Sequence, residues 1–180
     1  MTITADHIRT TVDAYLDVHP GEKYLLAKAL ELLEQQADLA SRSEWRGHAT
    51  AGAIVVRPDG RLLQIHHRAL DKWLFPGGHL EGQDTTLMAA ALRELVEETG
   101  VDPALVTPAG ELPAHIDVHA IPANPAKSEP DHWHIDFRFV FRTTGDIGRL
   151  QTEEVDEAFW RSPGVLTDHE LVRHITAALV

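Results

Sequence analysis

The chain has 180 residues, enough for one ordinary domain with an appendage and too few for two large ones, since domains usually run to roughly 100 to 200 residues. Hydrophobic residues make up 43% and charged residues 24%, close to globular averages, which excludes wholesale disorder. The 28 Asp and Glu against 16 Lys and Arg give a net charge of -12, which argues against duplex nucleic acid, because such binding rests on clustered cations that release counterions.

A small phosphate compound stays compatible with that charge if a divalent cation bridges the two negative parties. Cysteine is absent, so disulfides, thiolate metal sites and a cysteine nucleophile are excluded. The leading residues carry acids and no uninterrupted apolar core, and no later run approaches the roughly 18 to 20 apolar residues of a membrane span. The expectation is a cytoplasmic protein with no targeting segment and no membrane anchor.

Ile8, Val12 and Leu16 recur four apart, the spacing of one helical face, and His19, Pro20 and Gly21 stop that helix. A second stripe, Leu26, Leu30, Leu33 and Ala37, predicts another helix. These two helices form an extension over residues 1–45, and their apolar faces need a partner surface, either their own domain or the second copy of a homodimer. The period then becomes extended: HATAGAIVVRP and RLLQIHH read as two strands joined at Pro58-Asp59-Gly60. The main domain spans residues 46–180. WLFPGG predicts a short apolar strand ending in a sharp turn, and residues 85–99 a helix that Gly100 closes. HIDVHAI and HWHIDFRFVF alternate as half-buried strands joined by a Pro-rich loop, AFWRS is a further strand, and residues 168–180 a final helix. Strands alternating with helices indicate an α/β or α+β sandwich around a mixed sheet.

The chemistry concentrates at residues 77–101, GGHLEGQDTTLMAAALRELVEETGV. In a helix Glu94, Glu97 and Glu98 stand at i, i+3 and i+4, so three carboxylates project from one face. Their mutual repulsion serves no stability purpose, whereas a hard divalent cation would offset it and prefers oxygen ligands of this kind. Met88, Ala91, Leu92 and Leu95 supply the packing face. An isolated glutamate triplet is ordinarily a solvated helix edge; the flanking residues change that reading.

FPGGHLEG followed by RELVEETGV resembles the Nudix box, whose pattern is Gly, five residues, Glu, seven residues, then Arg-Glu-apolar-x-Glu-Glu-x-Gly-apolar. Arg93, Glu94, Leu95, Glu97, Glu98, Gly100 and Val101 fill its second half. The first glutamate is replaced by Asp84, separated from Arg93 by eight residues instead of seven, where the side chain is placed to cap the helix. The resemblance implies a Nudix-like α/β/α sandwich. It further implies Mg²⁺ (or Mn²⁺) held by Glu97, Glu98, the Gly78 carbonyl and Glu94, with Glu94 alternatively orienting and deprotonating the attacking water and Arg93 holding it. Glu154, in TEEVDEAFW, resembles a further carboxylate drawn from outside the box.

The activity so implied is metal-dependent attack of water on a phosphoanhydride of a nucleoside diphosphate derivative or triphosphate. Two rivals share the fold. Isopentenyl diphosphate isomerisation in that branch needs a cysteine, which is lacking. A non-catalytic binding or sensor module would tend to lose the box carboxylates, which are kept.

Around the box, Arg68 is the preferred phosphate contact, beside His66, His67 and Lys72, while Trp73 and Trp133 have rings suited to stacking, with core packing the commoner role for Trp73. On the alternating strands His115, Asp117 and His119 share one face, and His132, His134, Asp136 and Arg138 another. If those strands pair, the polar faces join into a surface for substrate, phosphate or a second metal, with His134 and Arg138 as the substrate contacts.

Overall fold

In the computed structural model, which describes residues 2–180 apart from the Lys127 side chain, Thr4 caps the first helix by accepting the His7 N–H at 3.2 Å. Helix α1 (Ala5–Val18) buries Ile8 and Val12 as the spacing implied, with Tyr15 as the third buried residue and Leu16 only partly covered. Helix α2 is only Ala27–Glu34, shorter than the apolar stripe suggested. Leu26 and Ala37 are buried all the same: turns on either side point them inward, and Gln36 at φ 55° lies in the left-handed region that ends a helix. Periodicity there reported burial and overstated helix length.

Strands β1 (His48–Val56) and β2 (Leu62–His67) flank the expected turn but pair only at Val56↔Leu62. The rest of that edge of β1 is taken by a later segment. The expected WLFPGG strand is two, β3 (Lys72–Leu74) on β2 and β4 (Gly77–His79) on β1, broken at Phe75 and Pro76. Proline has no N–H to give a ladder, and the Pro76 carbonyl instead accepts from Ala53 at 2.8 Å. Helix α3 is Leu87–Thr99, with Thr86 accepting the Ala89 N–H. Gly100 closes it at φ 64°, and a Cβ there would lie 2.4 Å from the Arg149 nitrogen, so no other residue fits.

Strands β5 (Val106–Pro108), β6 (His115–Ile121), β7 (His132–Thr143) and β8 (Val155–Arg161) follow, then helix α4 (His169–Ala178), capped by Asp168. β5 was not foreseen; three residues carry no periodicity. β1 and β7 run parallel and the other pairings are antiparallel, giving one mixed sheet of eight strands.

Alternation sorts this sheet into two faces. Ala49, Ala51 and Ala53 of β1 and Ile135, Phe137 and Phe139 of β7 belong to one core with Leu87, Ala91 and Leu95 of α3. Ile8, Val12, Tyr15, Leu26, Leu32 and Leu33 join the same core. The apolar faces of the leading helices are therefore covered by their own chain, which removes the sequence argument for a homodimer. On the other face Ile54, Val56 and Val140 pack with Leu171 and Ile175 of α4. Further along that face the residues turn polar: His48 and Thr50 on β1, His134, Asp136 and Arg138 on β7. Among the described residues no helix is long and apolar enough to cross a membrane.

Candidate active site

Helix α3 and strand β4 bring the box residues together. Arg93 is the hub, with a side chain 14% exposed. Its Nε and Nη2 donate to the two oxygens of Asp84 at 3.0 Å each, and Nη2 also to the His79 carbonyl at 2.9 Å. Nη1 donates to Glu94 Oε1 and Glu97 Oε2, each at 2.9 Å. Those five bonds use every N–H of the guanidinium. Burial alone would lower its pKa, but the carboxylates around it outweigh that and hold it above its ordinary value.

Asp84 was expected to cap the helix; Thr86 does so instead. Asp84 is buried, takes Arg93 as a bidentate partner and accepts the Glu81 N–H at 2.7 Å, tying the loop before α3 to the helix. The extra residue relative to the Nudix pattern is absorbed in that loop.

Glu98 was expected on an exposed face and is 2% exposed. It continues the stripe of Leu87, Ala91 and Leu95, so it points at the sheet, where its Oε2 accepts the Gly77 N–H at 2.9 Å. Glu94 is nearly as enclosed, at 13% side-chain exposure, while Glu97 is at 48%. Gly78 lies against Glu94: a Cβ on it would stand 2.6 Å from Glu94 Oε1. A side chain at 78 would push the Glu94 carboxylate out of this position.

Burial raises the Glu94 carboxyl to about 7, against the pull of Arg93 and with a push from Glu97 and Glu154. Burial raises Glu98 to about 8; the Gly77 bond opposes this, and the charges of Glu94, Glu154 and Glu97 add to it. Glu154, exposed just before β8, is thus close enough to act on both. The Gln151 N–H donates to the Glu98 carbonyl at 3.3 Å, fixing the turn that carries Glu154 beside α3. One oxygen each of Glu94, Glu97 and Glu98 lies outside the hydrogen bonds described, so three hard anionic donors remain for a cation.

Arg68 stands next to this cluster, its N–H on the Glu154 carbonyl at 2.8 Å and its half-exposed guanidinium on Asp156 at 2.7 Å. His66 is placed between Asp71 and Asp156, and Trp73, expected in the core, is half-buried beneath Arg161 with its centroid 4.8 Å from that guanidinium.

Strands β6 and β7 do pair, placing Asp117 opposite Asp136 and His119 opposite His134. Arg138, expected to meet substrate, has its charge spent inside the sheet, on Asp136 at 2.8 Å and Asp117 at 3.0 Å. The bond from His119 draws the Asp117 carboxyl down to about 2. His134 sits among His48, His79, His132 and His119, and burial followed by those neighbours lowers it to about 3. His48 and His79 were missed in the sequence, because each is a lone histidine on its own segment and only the sheet register gathers them.

A family model described as the NUDIX domain matches residues 46–179. The chain belongs to the Nudix family. A probable DHNTP pyrophosphohydrolase of Lactococcus lactis subsp. cremoris is 35% identical over 121 residues, which is 64% of this chain and 66% of that protein. An RNA pyrophosphohydrolase of Halorhodospira halophila is 44% identical over 59 residues, 33% of this chain and 32% of that protein. The chain thus matches between a third and just under two thirds of these relatives' length. In fold, it is similar to a Nudix-family hydrolase from Clostridium perfringens, with a TM-score of 0.54 and 24% identity over 73% of this chain and 95% of that one.

Proposed function

We propose that the chain is a pyrophosphohydrolase that cleaves a phosphoanhydride in a small nucleotide-type substrate, a nucleoside triphosphate or a nucleoside diphosphate derivative, with water as nucleophile. The observation that carries this reading is the convergence of Glu94, Glu97 and Glu98 on one edge of α3, two of them enclosed and all repelling one another, beside Gly78 and Glu154. The two relatives above, a probable DHNTP pyrophosphohydrolase and an RNA pyrophosphohydrolase, are in keeping with this reading.

The donor set fits Mg²⁺ or Mn²⁺: anionic oxygens, no thiolate, and a glycine whose missing side chain leaves room at Glu94. Glu97 and Glu98 would hold it, with the Gly78 carbonyl, and the one oxygen of Glu94 that Arg93 leaves free would either complete that set or serve as the base. Bound there, a divalent cation neutralises phosphate oxygens and lowers the cost of charge on the leaving group. As the base, Glu94 would accept the proton of the attacking water through that free oxygen. Arg93 fixes the carboxylate of Glu94 and donates nothing to the substrate, since its donors are all used. Glu154 adds a further carboxylate from across the cleft, and Arg68, able to exchange Asp156 for a phosphate, meets the substrate's charge at the rim. Catalysis in the cytoplasm, as a soluble enzyme, belongs to this proposal.

The raised carboxyls carry a consequence for stability. Between about pH 4.5, the ordinary glutamate value, and the folded values of about 7 and about 8, the metal-free folded chain holds protons that the unfolded chain has lost. The contribution of these two carboxyls therefore falls as pH rises through that window, while His134, lowered to about 3, contributes in the opposite sense up to about pH 6.5. Melting curves in chelator should shift downward from about pH 6.5, above which the lowered histidines are neutral in both states, to pH 8, and Mg²⁺ should reverse the shift at pH 8 by favouring the ionised carboxylates. A midpoint indifferent to both pH and Mg²⁺ would contradict the assignment.

The function itself is tested by offering the protein, with Mg²⁺, a panel of nucleoside triphosphates and nucleoside diphosphate derivatives in ¹⁸O-labelled water. Turnover of at least one class, with one ¹⁸O atom in a phosphate product, is expected. Tight binding without turnover of any class would favour the ligand-sensor alternative.

A further inference from the structure

The polar face of the sheet holds a second cluster, separate in donor type from the glutamates. His48 opens β1; the register pairs it with His134 of β7, and pairs Thr50, two residues on, with His79 of β4. Residues at alternate positions share a face, so these three imidazoles stand on the side of the sheet opposite α3. One ring nitrogen from each of His48, His79 and His134 lies within 4.8 Å of the other two. They line a pocket of about 60 Å³, together with Trp45, His132 and Glu129.

Hydrogen bonds fix the direction of two of the rings. The Nδ1 of His48 lies 3.4 Å from the Glu44 carbonyl and that of His132 2.8 Å from the Pro130 carbonyl. A carbonyl accepts only, so in each ring the proton is on Nδ1 and the lone pair is on Nε2. Metal-binding histidines are ordinarily oriented by this same bond from the far nitrogen to a carbonyl. His48 is 1% exposed, and its Nε2 is buried without a hydrogen-bond partner. An unpaired acceptor so deep in the protein is destabilising, and a cation would satisfy it.

We propose that His48, His79 and His134 form a binding site for a transition-metal dication of the zinc class, with His132, whose Nε2 is 3.2 Å from that of His134, as the adjacent fourth imidazole. Three atoms at the observed spacing share a point about 2.8 Å or less from each, so side-chain shifts under about 1 Å reach zinc–imidazole bonds of about 2.0–2.1 Å. Imidazole nitrogens select Zn²⁺ and its neighbours over Mg²⁺, whereas the α3 carboxylates have the opposite preference. The site does not rest on the hydrolytic reading. It reassigns His134 from substrate contact to metal ligand.

The test is a calorimetric titration of Zn²⁺ into the full chain at pH 7.5 with Mg²⁺ in large excess. One equivalent is expected to bind, with affinity lowered at least about a hundredfold in His48→Gln and in His79→Gln. No binding, or binding that survives in both histidine variants and disappears in Glu97→Gln, would overturn the proposal. Because His48→Gln is a core change, the unsubstituted chain supplies a second readout with Co²⁺. Intense visible bands of a four- or five-coordinate nitrogen site support the assignment, and the weak bands of six-coordinate oxygen ligation refute it.

Discussion

Replacing Glu98 by Gln should lower turnover by a factor on the order of a hundred to a thousand or more, equivalent to about 3–4 kcal/mol of lost transition-state stabilisation, while the fold persists. The glutamine side chain is isosteric and can keep the Gly77 N–H bond through its carbonyl oxygen. What the substitution removes is a charge that burial disfavours first and repulsion by Glu94, Glu154 and Glu97 disfavours further, as its raised pKa records. The metal-free variant should therefore melt at or above the parent midpoint at pH 8, yet fail to turn over substrate. Loss of activity together with loss of the folded circular dichroism signal would instead make Glu98 a packing residue, and unchanged activity would move the site elsewhere.

The second large effect is expected at Arg93, and it falls on stability as well as rate. Arg93→Ala removes five hydrogen bonds and leaves Asp84, whose side chain is 3% exposed, as a buried carboxylate without its cation. Losing one partner of such a pair costs about 3–5 kcal/mol. Urea unfolding should show it as a lowered midpoint at unchanged slope. Asp84→Asn combined with Arg93→Ala should recover part of that loss, because the second change removes the stranded charge. Arg93→Lys should not rescue activity: one ammonium cannot hold Asp84, the His79 carbonyl, Glu94 and Glu97 at once. If Arg93→Ala proved as stable as the parent, the network would be ornamental.

The helix bearing this network could be read from the sequence to within two residues at its start and to the residue at Gly100, because amphipathic spacing and a terminal glycine agree there; the offset at the start comes from taking Asp84, not Thr86, as the cap. The pairing of HIDVHAI with HWHIDFRFVF was likewise legible as two alternating faces. The burial of Glu98 was legible too, and missed: projecting Leu87, Ala91 and Leu95 forward lands on Glu98, whereas the triplet taken alone suggests an exposed edge. Asp84 could not be assigned. A carboxylate ahead of a helix serves equally as a cap or as an ion-pair partner, and only the position of Arg93 in space decides between them. The histidine cluster was half legible. His119, His132 and His134 followed from alternation, but His48 and His79 join them through strand register, a long-range property that no local pattern encodes. The split of WLFPGG into β3 and β4 belongs to the same class, since it depends on which edge of the sheet is vacant for each half.

Metal dependence of the reaction, measured on whichever substrate class the nucleotide panel identifies, bears most directly on the glutamate site. Enzyme stripped with chelator should lose turnover, and added Mg²⁺ or Mn²⁺ should restore it in the parent but not in Glu98→Gln. Hydrolysis at full rate by the stripped enzyme would contradict the account.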